Sequence, residues 1–158
     1  MRELSAADLL RAYDDPVYFS HRILNLPLWP KQQEILREFY SPGKNTLIWI
    51  AGMRSGKSTL AQVIMAYEAF RLLMLEDPHE HYGIHSKDWI FIVGVAKSED
   101  QTKDVLFNPL KELLQQSPFF APKMRATERS ITFRDSKVKI YAGVGTASSM
   151  VGRSVKCV

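Results

Sequence analysis

The chain has 158 residues, 46% of them hydrophobic and 24% charged, the balance of an ordinary globular protein. That length suits one domain or part of a larger one, and no apolar run reaches the roughly 18 residues that a membrane helix needs. A net charge of +4 fits an anionic partner such as nucleic acid, and fits a plain basic surface equally well.

The N-terminus, MRELSAADLLRAYDD, carries acids throughout and no apolar h-region, so it does not read as a secretion signal. Ser5 and Asp8 have the spacing of a capping box at a helix start. Asp15-Pro16 opens a second short helix running through Leu24, with Pro at its first position. Pro27 and Pro30 break the chain, and Lys31 to Tyr40 reads as a third helix with Ile35, Leu36 and Phe39 on one face. Residues 41–45 are a turn. Thr46-Leu47-Ile48-Trp49-Ile50 is a continuous apolar run of strand formers, the pattern of a strand buried on both faces of a parallel sheet. After a glycine-bearing loop, Leu60, Val63, Ile64, Tyr67, Phe70 and Met74 recur at helical spacing. Asp77-Pro78 is expected to end that helix, with a polar loop to Lys87. His79, His81 and His85 fall in this loop, where a metal site would need further ligands and a firmer frame.

Residues 89–95 predict a second buried strand, and Ser98 predicts the cap of a helix carrying Val105, Leu106, Leu110, Leu113 and Leu114, kinked at Pro109. Ser117-Pro118 stops it. Ile131 to Phe133 and Val138 to Tyr141 alternate about Arg134-Asp135-Ser136-Lys137 and predict a hairpin. A glycine- and serine-rich loop spans 143–152, and Ser154 to Val158 reads as the start of another strand. The single cysteine, Cys157, can form no internal disulfide, which suits a reducing compartment. The fold predicted is α/β, with residues 1–44 as a helical segment and 45–158 as the core.

Strand, then Ala51-Gly52-Met53-Arg54-Ser55-Gly56-Lys57-Ser58, then helix is the Walker A arrangement, with Ala in place of the first Gly. The chemistry needs each part. Backbone N–H groups and the positive end of the helix must face phosphate oxygens. Gly52 and Gly56 let the chain curl without a Cβ clash. Lys57 brings an ammonium to the β- and γ-phosphates, the Ser58 hydroxyl ligates Mg²⁺, and Thr59 continues the helix. The expected ligand is therefore ATP with Mg²⁺. Arg54 either reaches the γ-phosphate, where it would stabilise developing charge, or points away as a solvated cation. Gln32 and Gln33 lie some twenty residues upstream. A glutamine amide can donate to and accept from an adenine edge at once, although two glutamines can also simply occupy an exposed helix face.

These residues resemble the large, ATPase subunit of tailed-phage terminases. The resemblance runs from the Asp15-Pro16-Val17 helix and Trp29-Pro30-Lys31-Gln32, similar to that family's adenine-binding Q motif, through the arginine-bearing loop Ala51 to Ser58. It continues along Phe91 to Lys103 and the loop Gly143 to Arg153. It implies a P-loop NTPase fold of the ASCE type with helices flanking a parallel-type sheet, and an ATPase that pumps double-stranded DNA through a portal protein into a capsid. It also implies a small terminase subunit as partner, a homo-oligomeric ring, and the host-cell cytoplasm as location. The Walker A roles fall on Lys57 and Ser58, and the Q-motif role falls on Gln32, with Gln33 second. The family's loop arginine falls near Arg54, one place off its common position.

The family's Walker B strand should end in Asp-Glu, the Asp supporting Mg²⁺ and the Glu activating water. Leu72 to Asp77 has the acids in reverse order and continues the helix after the loop, so it is rejected. The strand beginning at Val155 is the better candidate. Its acids would lie beyond Val158, which predicts an incomplete sheet and leaves hydrolysis by these residues alone open. A nucleotide-binding module without turnover and a helicase-type ATPase are the other readings. Arg125, Arg129 and Arg153 are candidates to reach a neighbouring subunit's nucleotide. Lys103, Lys111, Lys123 and Arg125 are basic positions without an assigned role.

Overall fold

A computed structural model of the protein describes residues 4–96, 102–144 and 154–157. The N-terminal part is three helices, α1 (Ala6–Asp14), α2 (Pro16–Arg22) and α3 (Pro30–Phe39). Their starts follow from local chemistry. Ser5 Oγ accepts from the Asp8 amide at 3.1 Å while the Asp8 carboxylate accepts from the Ser5 amide at 3.0 Å, closing the expected capping box. Asp15 caps α2 by accepting from the amides of Val17 and Tyr18.

The long helix α4 (Lys57–Met74) follows the glycine-bearing loop, then a short helix α5 (Pro78–Tyr82) and the strand β1 (Ile90–Ala96). Leu72, Leu73 and Met74 belong to α4, as their rejection as a Walker B strand required. A π-helical turn (Thr102–Phe107) runs into α6 (Asn108–Gln116), and four strands complete the sheet: β2 (Arg125–Ala126), β3 (Ser130–Phe133), β4 (Val138–Val144) and β5 (Ser154–Cys157). The sheet order is β2-β3-β4-β1-β5. β1 lies between β4 and β5 and is parallel to both. β3 and β4 form the predicted hairpin, antiparallel with Phe133 opposite Val138. The sheet is thus mixed, antiparallel on the β2-β3-β4 side and parallel on the β4-β1-β5 side. Among the described residues no helix is long and apolar enough to cross a membrane.

α4 joins the two halves. It touches α1, α2 and α6 as well as β1, β4 and β5. Phe19 of α2 is fully buried against Tyr67 and Phe70 of α4 and against Phe120, with ring centroids at 5.1, 4.9 and 6.4 Å. One hydrophobic cluster runs from Ala12 and Phe19 through α4 to Ile92, Ile131 and Ile140. Buried polar groups are tied across the same seam: Tyr67 Oη donates to the Tyr13 carbonyl at 2.6 Å, and Ser117 Oγ donates to the Ile23 carbonyl at 2.8 Å.

Three expectations need correction. Residues 46–50 do not join the sheet, and they are not buried on both faces. Leu47 and Trp49 are half-buried, but Ile48 and Ile50 are 82% and 94% exposed. Both ladder edges of β1 are occupied by β4 and β5, so this segment has no place beside β1, and its alternate residues Ile48 and Ile50 face out. The loop after α4 is not wholly irregular. Asp77 accepts from the amides of His79 and Glu80 and so caps α5, with Pro78 and His79 buried. Finally, the helix after β1 is wound as a π-turn up to Phe107, with Pro109 in the first turn of α6. Proline has no amide to continue the earlier ladder, so the winding changes there rather than kinking one α-helix. Ser98, the expected cap, lies outside the described residues.

Candidate nucleotide site

The loop Ala51 to Gly56 leads directly into α4. Gly56 is the N-cap residue, with φ +80° and ψ 21°, and it offers no side-chain acceptor to the first turn. A residue with a Cβ resists that left-handed geometry, which accounts for glycine here. Arg54 is also left-handed, at φ +61°, the less common choice for a side-chain-bearing residue. Two left-handed residues flanking Ser55 fold the chain sharply back into the helix.

The α4 amides of Lys57, Ser58 and Thr59 lie in a first helical turn, whose N–H groups have no partner within the helix. Eighteen residues of aligned peptide dipoles stand behind them, which makes this end attractive to an anion. Lys57 folds its side chain over the loop, and Nζ donates to the carbonyls of Ala51 at 2.7 Å and Gly52 at 2.6 Å. The ammonium is thus held on the loop's own backbone. Gly52, Met53, Arg54, Ser55, Lys57 and Ser58 are all exposed, and Thr59 is half-buried. Among the residues expected to bind Mg²⁺, Ser58 follows Lys57 at the helix start, where its hydroxyl is open to solvent. Arg54 is exposed within the turn.

The two glutamines separate. Gln32 is 4% exposed; its Oε1 accepts from the Trp29 amide at 3.0 Å and its Nε2 donates to the Gly56 carbonyl at 3.3 Å. Gln33 turns elsewhere, with Nε2 donating to the Leu28 carbonyl at 2.8 Å. It lines a cavity of about 230 Å³ between α1, α2 and α3, together with Arg11, Asp15, Tyr18, His21 and Arg37. The Arg11 guanidinium lies 4.2 Å from the Tyr18 ring centroid. No sequence motif marks this cavity, because its residues are scattered over three helices.

The remaining candidates are dispersed. Arg125 is exposed on β2, Arg129 is exposed in the turn before β3, and Arg153 lies outside the described residues. Lys103 pairs with Glu128, and Lys123 sits 3.6 Å from the centroid of the Phe119 ring, where burial lowers its pKa. Among the described residues no three His, Cys, Asp or Glu side chains gather into a metal site. His79 instead bonds through Nε2 to the Asp88 carbonyl at 2.9 Å. β5 carries Ser154, Val155, Lys156 and Cys157, and so no carboxylate.

A turn with left-handed Gly56 feeding Lys57 and Ser58 into a long helix, beside a sheet whose β4, β1 and β5 run parallel, defines a P-loop domain, a class of nucleotide-binding fold. The comparison with protein families agrees. The family model of the N-terminal P-loop domain of the uncharacterized protein MJ0330 matches residues 15–158, and the chain belongs to that family. No curated protein matches it significantly.

Proposed function

We propose that the chain binds Mg-ATP at residues 51–59, as part of an ATPase of the DNA-packaging terminase kind. The observation that carries nucleotide binding is the union of left-handed Gly56, the Lys57 ammonium and the uncapped start of α4 at one point. A triphosphate tail would draw Lys57 from the Ala51 and Gly52 carbonyls onto its β- and γ-oxygens. The first-turn amides would hold the remaining oxygens. Mg²⁺ fits the Ser58 hydroxyl, a hard oxygen donor beside the phosphates. The ion would neutralise phosphate charge, while Arg54 would stabilise charge that develops on the γ-phosphate. For the base we assign Gln33 in preference to Gln32: Gln33 lines a cavity and would have to release only its Nε2 bond to the Leu28 carbonyl, whereas Gln32 is engaged at both ends. Glutamine matches the N6 and N7 edge of adenine.

The terminase assignment rests on the resemblance of the Trp29 to Gln32 segment, the loop and the stretch Phe91 to Lys103. With it go double-stranded DNA, a portal protein and a small subunit as partners. A second reading is nucleotide binding without turnover by these residues, which the same loop geometry and helix start at residues 51–59 support.

Calorimetric titration with Mg-ATP tests the shared claim. Saturable binding is expected, weakened tenfold or more by Lys57→Ala, because a hydrogen bond from a charged group contributes about 1.5–3 kcal/mol. No heat with folded protein would defeat both readings. Phosphate release that rises with added duplex DNA and vanishes in Lys57→Ala would favour the motor over the silent module.

A further inference from the structure

We infer that Gln32 is a positioning residue for the phosphate loop: its carboxamide clamps the Gly56 carbonyl and holds the loop in shape for a triphosphate, whichever base that triphosphate carries. The inference rests on the nucleotide reading of residues 51–59 and assigns Gln32 a role other than recognising adenine. Gln32 lies on α3, yet only 4% of it reaches solvent. Its Oε1 holds the Trp29 amide at the start of α3, and its Nε2 reaches across 24 residues of sequence to the Gly56 carbonyl.

That carbonyl also accepts the first helical bond of α4, from the Leu60 amide at 3.0 Å. One oxygen therefore carries both the start of α4 and the tie to α3. The fit is close. A Cβ on Gly56 would lie 2.3 Å from Gln32 Nε2, so the amide occupies the space that glycine leaves open. Gly56 is also the left-handed N-cap, the residue whose dihedral angles aim the loop amides. Fixing its carbonyl fixes the peptide plane that joins Gly56 to Lys57. A buried amide that loses such a partner is left with a desolvated donor, which makes the tie costly to break. A glutamine that reads a base must present an amide edge to the ligand. Gln32 presents its edge to the protein.

The test compares wild type with Gln32→Ala and Gln32→Glu. Gln32→Glu keeps an acceptor for the Trp29 amide but has no donor for Gly56, so it isolates the loop tie from the α3 cap. Affinities for Mg-ATP, Mg-GTP and the base-free Mg-tripolyphosphate are measured by calorimetry, with amide hydrogen exchange across residues 56–60. Both variants are expected to weaken all three ligands by a common factor, about fivefold or more, with faster exchange confined to the loop and the first turn of α4. A loss for ATP alone, with tripolyphosphate unchanged, would make Gln32 a base reader and overturn the inference. Unchanged affinities and exchange would do the same. Wild type that binds none of the three would instead overturn the nucleotide reading, and this inference with it.

Discussion

Gly56 is the residue on which most of the site geometry converges. Its φ of +80° costs a side-chain-bearing residue about 1–2 kcal/mol, and its missing Cβ makes room for Gln32. Gly56→Ala is therefore expected to lower the melting temperature and to reduce Mg-ATP binding well beyond what the backbone cost alone gives, because the Gln32 amide must also move. A Gly56→Ala protein with wild-type affinity by calorimetry would mean that the loop is free to reshape around its ligand. A Cβ on Gly52, the other loop glycine, would meet nothing within 4 Å among the described residues. Gly52→Ala is accordingly expected to be the milder change. The sequence marks both glycines as allowing a tight curl, and only the three-dimensional neighbours of each tell them apart.

At the scale of elements, the sequence was most readable where the chemistry is local. The caps at Ser5 and Asp15, the hairpin about residues 134–137 and the helical spacing of α4 depend on residues a few positions apart, and all are found, although α4 is buried on most of its sides rather than along one face. It was least readable where pairing is distant. The apolar run 46–50 carries a strand pattern, but a strand needs a neighbour, and residue order does not say which edge is open. The segment's alternation predicts a contrast. Ile48→Thr, on the exposed side, should change stability by no more than about 0.5 kcal/mol, whereas Trp49→Ala, packed against the core, should cost clearly more. Equal losses in urea titrations would place both faces inside. The glutamine pair fails for a related reason. Adjacent residues on a helix point about 100° apart, so one sequence motif serves two sites, the loop and the cavity.

α1 and α2 carry a separate electrostatic device. Asp8 receives Arg22 at 3.1 Å and the Tyr18 hydroxyl at 2.6 Å, besides Ser5. The Arg22 guanidinium first, and the Tyr18 hydroxyl next, hold the Asp8 carboxyl well below the usual carboxylate range. The folded state thus binds the proton less readily than the unfolded chain. The stabilisation is complete above the unfolded carboxylate value, about 4, and is lost as pH falls through the lowered folded value. Asp8→Asn removes it at every pH. The gap in melting temperature between wild type and Asp8→Asn should be widest at neutral pH and should narrow as the solution is acidified below about 4. A gap that stays constant down to the acid limit would assign the loss to the cap and not to the charge.

Across the whole molecule, the division into a helical segment 1–44 and a core 45–158 meets a continuous interior. Phe19 has no exposed surface and lies among Tyr67, Phe70 and Phe120, so the helical segment and α4 share one wall. The Tyr67 and Ser117 hydroxyl bonds cross the same seam. If α1–α3 were a separable unit, emptying that wall would loosen them and leave the sheet standing. If the interior is one cooperative body, Phe19→Ala should cost about 3–5 kcal/mol and do so in a single transition. In a Trp29→Phe background, the fluorescence of Trp49 and Trp89 would follow residues 45–158, and far-ultraviolet circular dichroism would follow the helices of both regions together. Coincident curves with a lowered midpoint are expected. Two separated transitions would make the helical segment a true module, and Gln32 would then link two bodies through its single bond to Gly56 instead of bracing a loop inside one.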